Sequence, residues 1–289
     1  MRRLRLIASA GVLAVLVSCP DPEGDPDDTV IVVGIAPERT FVERLLEGSG
    51  RRVRIDVLLP AGSNPHTYEP EPARMRALSR ARLLFHGHLA LETAWRERFQ
   101  AVAPEVRFVD LTAGLADLEE HGHPNPHVWL SPVAVASEVR RMHEELRGLF
   151  PEESAILEQN LRSLLAQIEA LDRELRADAA GLQGHSFLVF HPAWAYFARD
   201  YGLTMLSIEE FGMEPGPRGL GQLIREARRR KIDTIFVQPE YDTRPAEMVA
   251  RELNARVVPI SVLDEDWFAM LRSASREIFA AARRSEAVL

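Results

Sequence analysis

Two rhythms of apolar and polar positions alternate along this 289-residue chain, and the switches between them outline an architecture. Runs of buried-strand type occupy Thr29–Ile35 and Val53–Leu59, with shorter apolar runs at Arg82–Phe85 and Val106–Leu111. Helical patterns separate them: one following the first strand through Leu45, then Pro72–Arg80 and Leu91–Val102. Strands that alternate with helices predict a parallel sheet covered by helices. A second round places strands at Ser186–Phe190, Met205–Ile208, Thr234–Val237 and Arg256–Ile260, again with helical segments between. The expected fold class is therefore α/β with two lobes, each a parallel sheet covered by helices.

Between the rounds, Ile156, Leu161, Leu164, Leu165, Ile168, Leu171 and Leu175 recur at three- and four-residue steps uninterrupted by Gly or Pro. This predicts one long linking helix from Pro151 to about Leu182, with Pro151 suited to its first turn. The stripe covers too few turns and lacks the sustained heptads of a coiled coil.

The N-terminal end obeys different rules. Met1-Arg2-Arg3-Leu4-Arg5 is a basic start followed by an apolar stretch from Leu6 to Val17, the pattern of a secretion signal. It falls short of the roughly 20 apolar residues that span a bilayer. The stretch ends in Leu16-Val17-Ser18-Cys19, which resembles a bacterial lipobox, and Cys19 is the only cysteine. An exported protein ordinarily pairs its cysteines, so a lone one at this position reads as a lipidation site. Pro20 to Asp28 contains no apolar side chain other than proline and reads as an acidic tether. The expected plan is a lipoprotein signal at residues 1–19, a tether at 20–28, a first lobe at 29–150, the linking helix at 151–182 and a second lobe at 183–289.

Composition narrows the class. With 46% hydrophobic residues the chain can bury a core large enough for two lobes. Its formal charge of -8, with Arg228-Arg229-Arg230-Lys231 as the only basic run beyond the N-terminus, argues against a nucleic-acid partner. That run closes a helix, where the dipole favours cations.

Candidate chemistry lies in the histidines. Asn64-Pro65-His66-Thr67-Tyr68 and Asn125-Pro126-His127-Val128-Trp129 echo one another, each in a loop after a strand and before a helix. Open α/β sheets place ligands at the carboxyl ends of their strands, and prolines restrict such loops. His191 ends the apolar strand Phe187–Phe190, which suggests the equivalent position in the second lobe. Three neutral imidazoles in a cleft suit Zn²⁺, Cu²⁺ or Ni²⁺ better than the oxygen-seeking Mg²⁺ or Ca²⁺. Three histidines with an open position would also suit a zinc hydrolase, but the chain has no His-Glu-x-x-His helix and no Gly-x-Ser-x-Gly elbow. His86 and His88 close a predicted strand, and His143 and His185 fall on helix or helix-end positions; none of the four is assigned a ligand role.

The phrases Gly62–Pro70, Pro126–Pro132, His191-Pro192-Ala193-Trp194-Ala195-Tyr196-Phe197 and Glu214-Pro215 together make nearly all of the chain after residue 28 resemble the metal-binding lipoproteins of zinc and manganese ABC importers. The resemblance implies two lobes on a single long helix and a metal held between them by His66, His127 and His191. Histidine at 191, where manganese-type members often have a carboxylate, favours Zn²⁺, with Mn²⁺ as the alternative. The family usually has an aspartate ligand where this chain has Ser261, so the fourth ligand is open among Glu240, first choice, Asp264 and a bound water. Zinc-type members carry a long histidine loop where this chain has only Glu119-Glu120-His121-Gly122-His123, read as a surface loop. The implied protein is not an enzyme. It is an extracytoplasmic, lipid-anchored monomer that passes its metal to a membrane permease, with a surface adhesin as the alternative role.

Overall fold

The computed structural model describes residues 28–115, 118–120, 123–209 and 216–285. The signal and lipobox with Cys19, all but the last residue of the tether, His121 and Glu214-Pro215 lie outside the described residues.

Two four-stranded parallel sheets carry the structure. In the first, β1 (Thr29–Val33), β2 (Val53–Val57), β3 (Ala81–His86) and β4 (Arg107–Asp110) lie in the order β2-β1-β3-β4. A two-stranded antiparallel ribbon, β5 (Glu119–Glu120) with β6 (His123–Pro124), forms where the sequence suggested only a loop. The second large sheet contains β7 (Ser186–Val189), β8 (Thr204–Ser207), β9 (Thr234–Val237) and β10 (Arg256–Pro259), ordered β10-β9-β7-β8. Counted from its own first strand, the second sheet repeats the order of the first. Both reverse direction beside their first strand, the type of point where α/β folds open a crevice.

The sequence places His191 as the counterpart of the other two histidines, and the topology corrects that. His191 follows β7, an interior strand equivalent to β1, whereas His66 lies beyond the edge strand β2 and His127 beyond the β5–β6 ribbon. Three different connections, not one repeated connection, supply the histidines.

The linking segment begins with a 3-10 turn at Pro151–Glu153, followed by a 25-residue α-helix at Ser154–Asp178. At 1.5 Å per residue this spans about 37 Å, shorter than the apolar periodicity alone suggests. The chain turns off at Ala179, and Gly181 takes the left-handed conformation at φ 81°. With α1 (Ala36–Leu46), α2 (Pro72–Arg80), α3 (Ala90–Val102) and α4 (Pro132–Leu149) before it, this helix is α5. After it come α6 (Ala195–Tyr201), α7 (Pro217–Arg229), α8 (Arg244–Leu253) and α9 (Trp267–Ala282). Leu157, Leu161, Leu164, Ile168, Leu171 and Leu175 form the buried stripe of α5, and the helix packs against α1 and α4 on one side and α9 on the other. One apolar core therefore runs from the first sheet through α5 into the second, and a smaller core lies on the far face of the second sheet. At the seam the Phe41 and Trp267 rings meet edge-on at 5.3 Å, Thr40 Oγ1 donates to the Glu265 carbonyl and Arg39 pairs with Glu265 at 3.6 Å.

The core of the first lobe contains three acids: Glu38, Glu92 and Glu138. Glu38 accepts the Gly34 N–H at 2.7 Å, and Glu92 accepts those of Gly87 and Leu89 at 3.0 and 2.9 Å. A Cβ on Gly34 would fall 2.2 Å from Glu92 Oε1, so any larger residue at this strand end would force the buried Glu92 carboxyl to move. Glu138, on α4, has a buried Oε2 without a hydrogen-bond partner, and burial pushes its carboxyl up to about 8. Between the ordinary value of 4.5 and about 8 the folded carboxyl keeps a proton that the unfolded chain has released, so stability falls as pH rises through that window. Glu138→Gln is expected to flatten this slope of up to ~1.4 kcal/mol per pH unit. The variant should gain most over the parent near pH 9. Chemical denaturation at pH 5, 7 and 9 checks it, and parallel curves for the two proteins would refute the assignment.

Candidate metal centre

The echoed Asn-Pro-His phrases have a structural cause. Asn64 Oδ1 accepts the backbone N–H of His66 at 2.8 Å, and Asn125 Oδ1 accepts that of His127 at 3.0 Å. Each asparagine thus closes a tight Asx turn across a proline whose φ is already fixed, and each turn holds the following histidine. The second loop is held further by Tyr196 of α6, whose Oη donates to the Asn125 carbonyl at 3.1 Å and accepts the Leu118 N–H at 3.2 Å. A residue of the His191 phrase thereby fixes the loop that bears His127.

His127 and His191 are both buried, and their Nε2 atoms face each other at 3.2 Å. Their tautomers follow from the outer nitrogens. His127 Nδ1 lies 2.8 Å from Asn125 Oδ1, an oxygen already identified as an acceptor by the backbone N–H it receives. His191 Nδ1 lies 2.7 Å from Glu209 Oε2. In His127 Nδ1 carries the hydrogen and Nε2 presents its lone pair, and with its Nδ1 against the Glu209 carboxyl the His191 ring can turn Nε2 to the same point. Burial first, then the neighbouring His191 and His66, drive the His127 pKa well down, which keeps that ring neutral. The 3.2 Å separation is closed either by a proton shared between the two nitrogens or by a metal ion that both coordinate. Tetrahedral Zn–N bonds of about 2.0–2.1 Å place neighbouring nitrogens about 3.3–3.4 Å apart.

His66 stands at the exposed mouth of this pair, its ring 5.0 Å from that of His191 and edge-on to it. Desolvation, followed by His191, lowers its pKa as well. Tyr241 stacks on His191 at 4.9 Å and reaches the His66 ring at 6.3 Å, while Trp129 packs against His127 at 5.2 Å. Aromatic walls of this kind fix ring orientation and exclude water from a charge-bearing site.

Of the candidates for a fourth ligand, the sequence points to Glu240, but the residue against the imidazoles is its neighbour Tyr241. Glu240 Oε2 is buried with no hydrogen-bond partner, and burial, with Asp264 adding to it, raises its pKa. Ser261 Oγ accepts the Leu263 N–H at 3.3 Å. Among the described residues, the one set of three ligand atoms already within 4.8 Å of one another lies elsewhere, at His86, His88 and Asp110.

Glu209 is the functional residue that sequence reasoning missed. It lies two residues past the end of β8 and is buried against His191, forming a carboxylate–histidine pair of the sort that orients metal ligands. Its place at the carboxyl end of a parallel strand was the available signal. Glu209→Gln is expected to lower Zn²⁺ affinity 10- to 100-fold with the fold intact, because the amide no longer fixes the tautomer. Titration against a competing chelator measures this, and unchanged affinity would show the contact to be incidental.

The fold and site define a two-lobed binding protein with an imidazole-lined cleft. Residues 31–281 match the family described as "Zinc-uptake complex component A periplasmic", and the chain belongs to that family. It is 26% identical to the high-affinity zinc uptake system protein ZnuA of Bacillus subtilis, over 90% of this chain and 85% of that protein. The manganese ABC transporter substrate-binding lipoprotein PsaA of Streptococcus mitis is 24% identical, with 83% and 82% covered. The zinc-binding lipoprotein AdcA of Streptococcus pneumoniae is 22% identical over 91% of this chain, which spans only 56% of AdcA. A crystal structure of ZnuA superposes with a TM-score of 0.83 at 36% identity, covering 89% of this chain and 100% of that one.

Proposed function

We propose that this protein is the extracytoplasmic substrate-binding component of an ABC importer. It captures Zn²⁺ between its lobes with His66, His127 and His191 and delivers the ion to a membrane permease. The observation that carries the reading is the pair of Nε2 atoms facing each other at 3.2 Å, each ring held from behind by an oxygen. Three imidazoles favour zinc over manganese, since a harder ion prefers oxygen. No helix among the described residues is long and apolar enough to cross a membrane, and attachment is assigned to a lipid on Cys19.

Glu240 is proposed as the fourth ligand: its Oε2 is buried without a partner, and the next residue stacks on His191. Glu240→Ala is expected to cost about tenfold in Zn²⁺ affinity, a modest loss because water can replace one oxygen at tetrahedral zinc. Competition calorimetry with Zn²⁺ and Mn²⁺ tests both the metal and the fourth ligand. Binding no tighter than micromolar, or binding that survives replacement of all three histidines, would overturn the reading. Hydrolytic turnover abolished by His66→Ala would favour a zinc enzyme instead.

A further inference from the structure

We propose a second divalent transition-metal site in the first lobe, formed by His86, His88 and Asp110. The ligand atoms of all three already lie within 4.8 Å of one another. His86 ends β3 and Asp110 ends β4, directly paired in the sheet register, so backbone hydrogen bonding fixes the distance between them. His88 joins them through an unusual backbone. It is not glycine, yet it takes the left-handed conformation at φ 64°, a strain that persists only where the surroundings impose it. Here the buried Glu92 imposes it by accepting the N–H groups on either side, of Gly87 and Leu89. The turn sets the His88 ring edge-on to His86, centroids 5.4 Å apart, with Nε2 2.9 Å from Asp110 Oδ2.

The second oxygen of the carboxylate is already engaged: Asp110 Oδ1 accepts both the N–H and the Oγ1–H of Thr112, at 2.9 and 2.7 Å. That leaves Oδ2 as a single oriented ligand. His86 is buried and its pKa falls to about 4, chiefly by desolvation, so its imidazole is neutral at physiological pH. His88 and Asp110 are about one-third exposed, which gives an ion a way in and leaves a coordination position for water. Two imidazoles and one carboxylate suit Zn²⁺ or another divalent transition ion. Arg96 nearby opposes a cation, and the Asp110 charge offsets it. Binding displaces the His88–Asp110 hydrogen bond: the Nε2 proton passes to Nδ1 through solvent, and Nε2 and Oδ2 both turn to the metal. The inference stands on these residues alone and does not depend on the cleft.

The test uses the His127→Ala/His191→Ala protein, which lacks the cleft pair, titrated with Zn²⁺ by calorimetry and with Co²⁺ by visible absorption. One equivalent is expected to bind in the micromolar range with cobalt bands of four- or five-coordinate type. Adding His88→Ala, at a part-exposed position, or the near-isosteric Asp110→Asn should weaken it at least tenfold while thermal melting shows the chain still folded. No metal bound in the double variant at 100 μM Zn²⁺, or binding indifferent to both further substitutions, would overturn the proposal. The wild-type protein should take up two equivalents, and a loss confined to one of them shows which of the two sites is absent.

Discussion

Replacing His191 with alanine is expected to reduce Zn²⁺ affinity by at least 100-fold, the largest loss among the three cleft histidines. Its Nε2 is one half of the facing pair, its Nδ1 is held by Glu209, and its ring lies under Tyr241. Structural zinc sites draw roughly 10–16 kcal/mol from about four ligands, so an unreplaced ligand is worth on the order of 3 kcal/mol, or more than a hundredfold. His127→Ala should cost nearly as much, since its ring is equally buried and held by Asn125. His66→Ala should cost less, about tenfold, because His66 lies exposed at the mouth and water can take its place. Competition against a chromogenic chelator ranks the three. A His66 variant weaker than the His191 variant, or a His191 variant within tenfold of the parent, would show that the facing pair is not the centre of the site.

Much of this was legible in the chain itself, because strand periodicity and the Asn-Pro-His echo are local signals. Val30 to Val33 and Phe187 to Val189 read as buried strands and are strands. Hydrogen bonds between residues two apart, Asn64 to His66 and Asn125 to His127, need no tertiary information to be foreseen. What sequence reasoning missed depends on contacts between distant elements. Glu209 meets His191 only because β8 pairs with β7, and Asp110 meets His88 only because β4 pairs with β3. A carboxylate at a strand end has no local mark that distinguishes it from a solvated one. The left-handed turn at His88 was equally hidden, since Gly87 beside it is the residue that would be expected to take it. The loop that bears Glu240 was read from the sequence, but the stacking of its next residue, Tyr241, on His191 is a tertiary contact with no local mark.

The same dependence on distant contacts makes the tryptophan pair between the lobes the second sensitive point. Trp129 Nε1 donates to the Val262 carbonyl at 2.7 Å, and Trp267 Nε1 donates to the Trp129 carbonyl at 2.7 Å. Trp129 lies two residues from His127, Val262 follows β10, and Trp267 opens α9, so the two bonds tie the ligand-bearing loop of the first lobe to the second. Trp267 is fully buried and its ring also meets Phe41 of α1. Trp267→Ala is expected to cost about 3–5 kcal/mol through lost packing and the cavity left behind. That corresponds to a fall in melting temperature on the order of 10 °C for a chain of this size. Trp267→Phe keeps most of the apolar contact and removes the indole donor, leaving the Trp129 carbonyl without its partner, so its stability cost should be about 1–3 kcal/mol. The informative comparison is metal affinity in the phenylalanine variant. If the clasp holds His127 in register with His191, Zn²⁺ affinity falls several-fold although no ligand has changed, and the loss appears mainly as faster release. If affinity and release match the parent while stability falls, the tryptophans stabilise the lobe seam without setting the site.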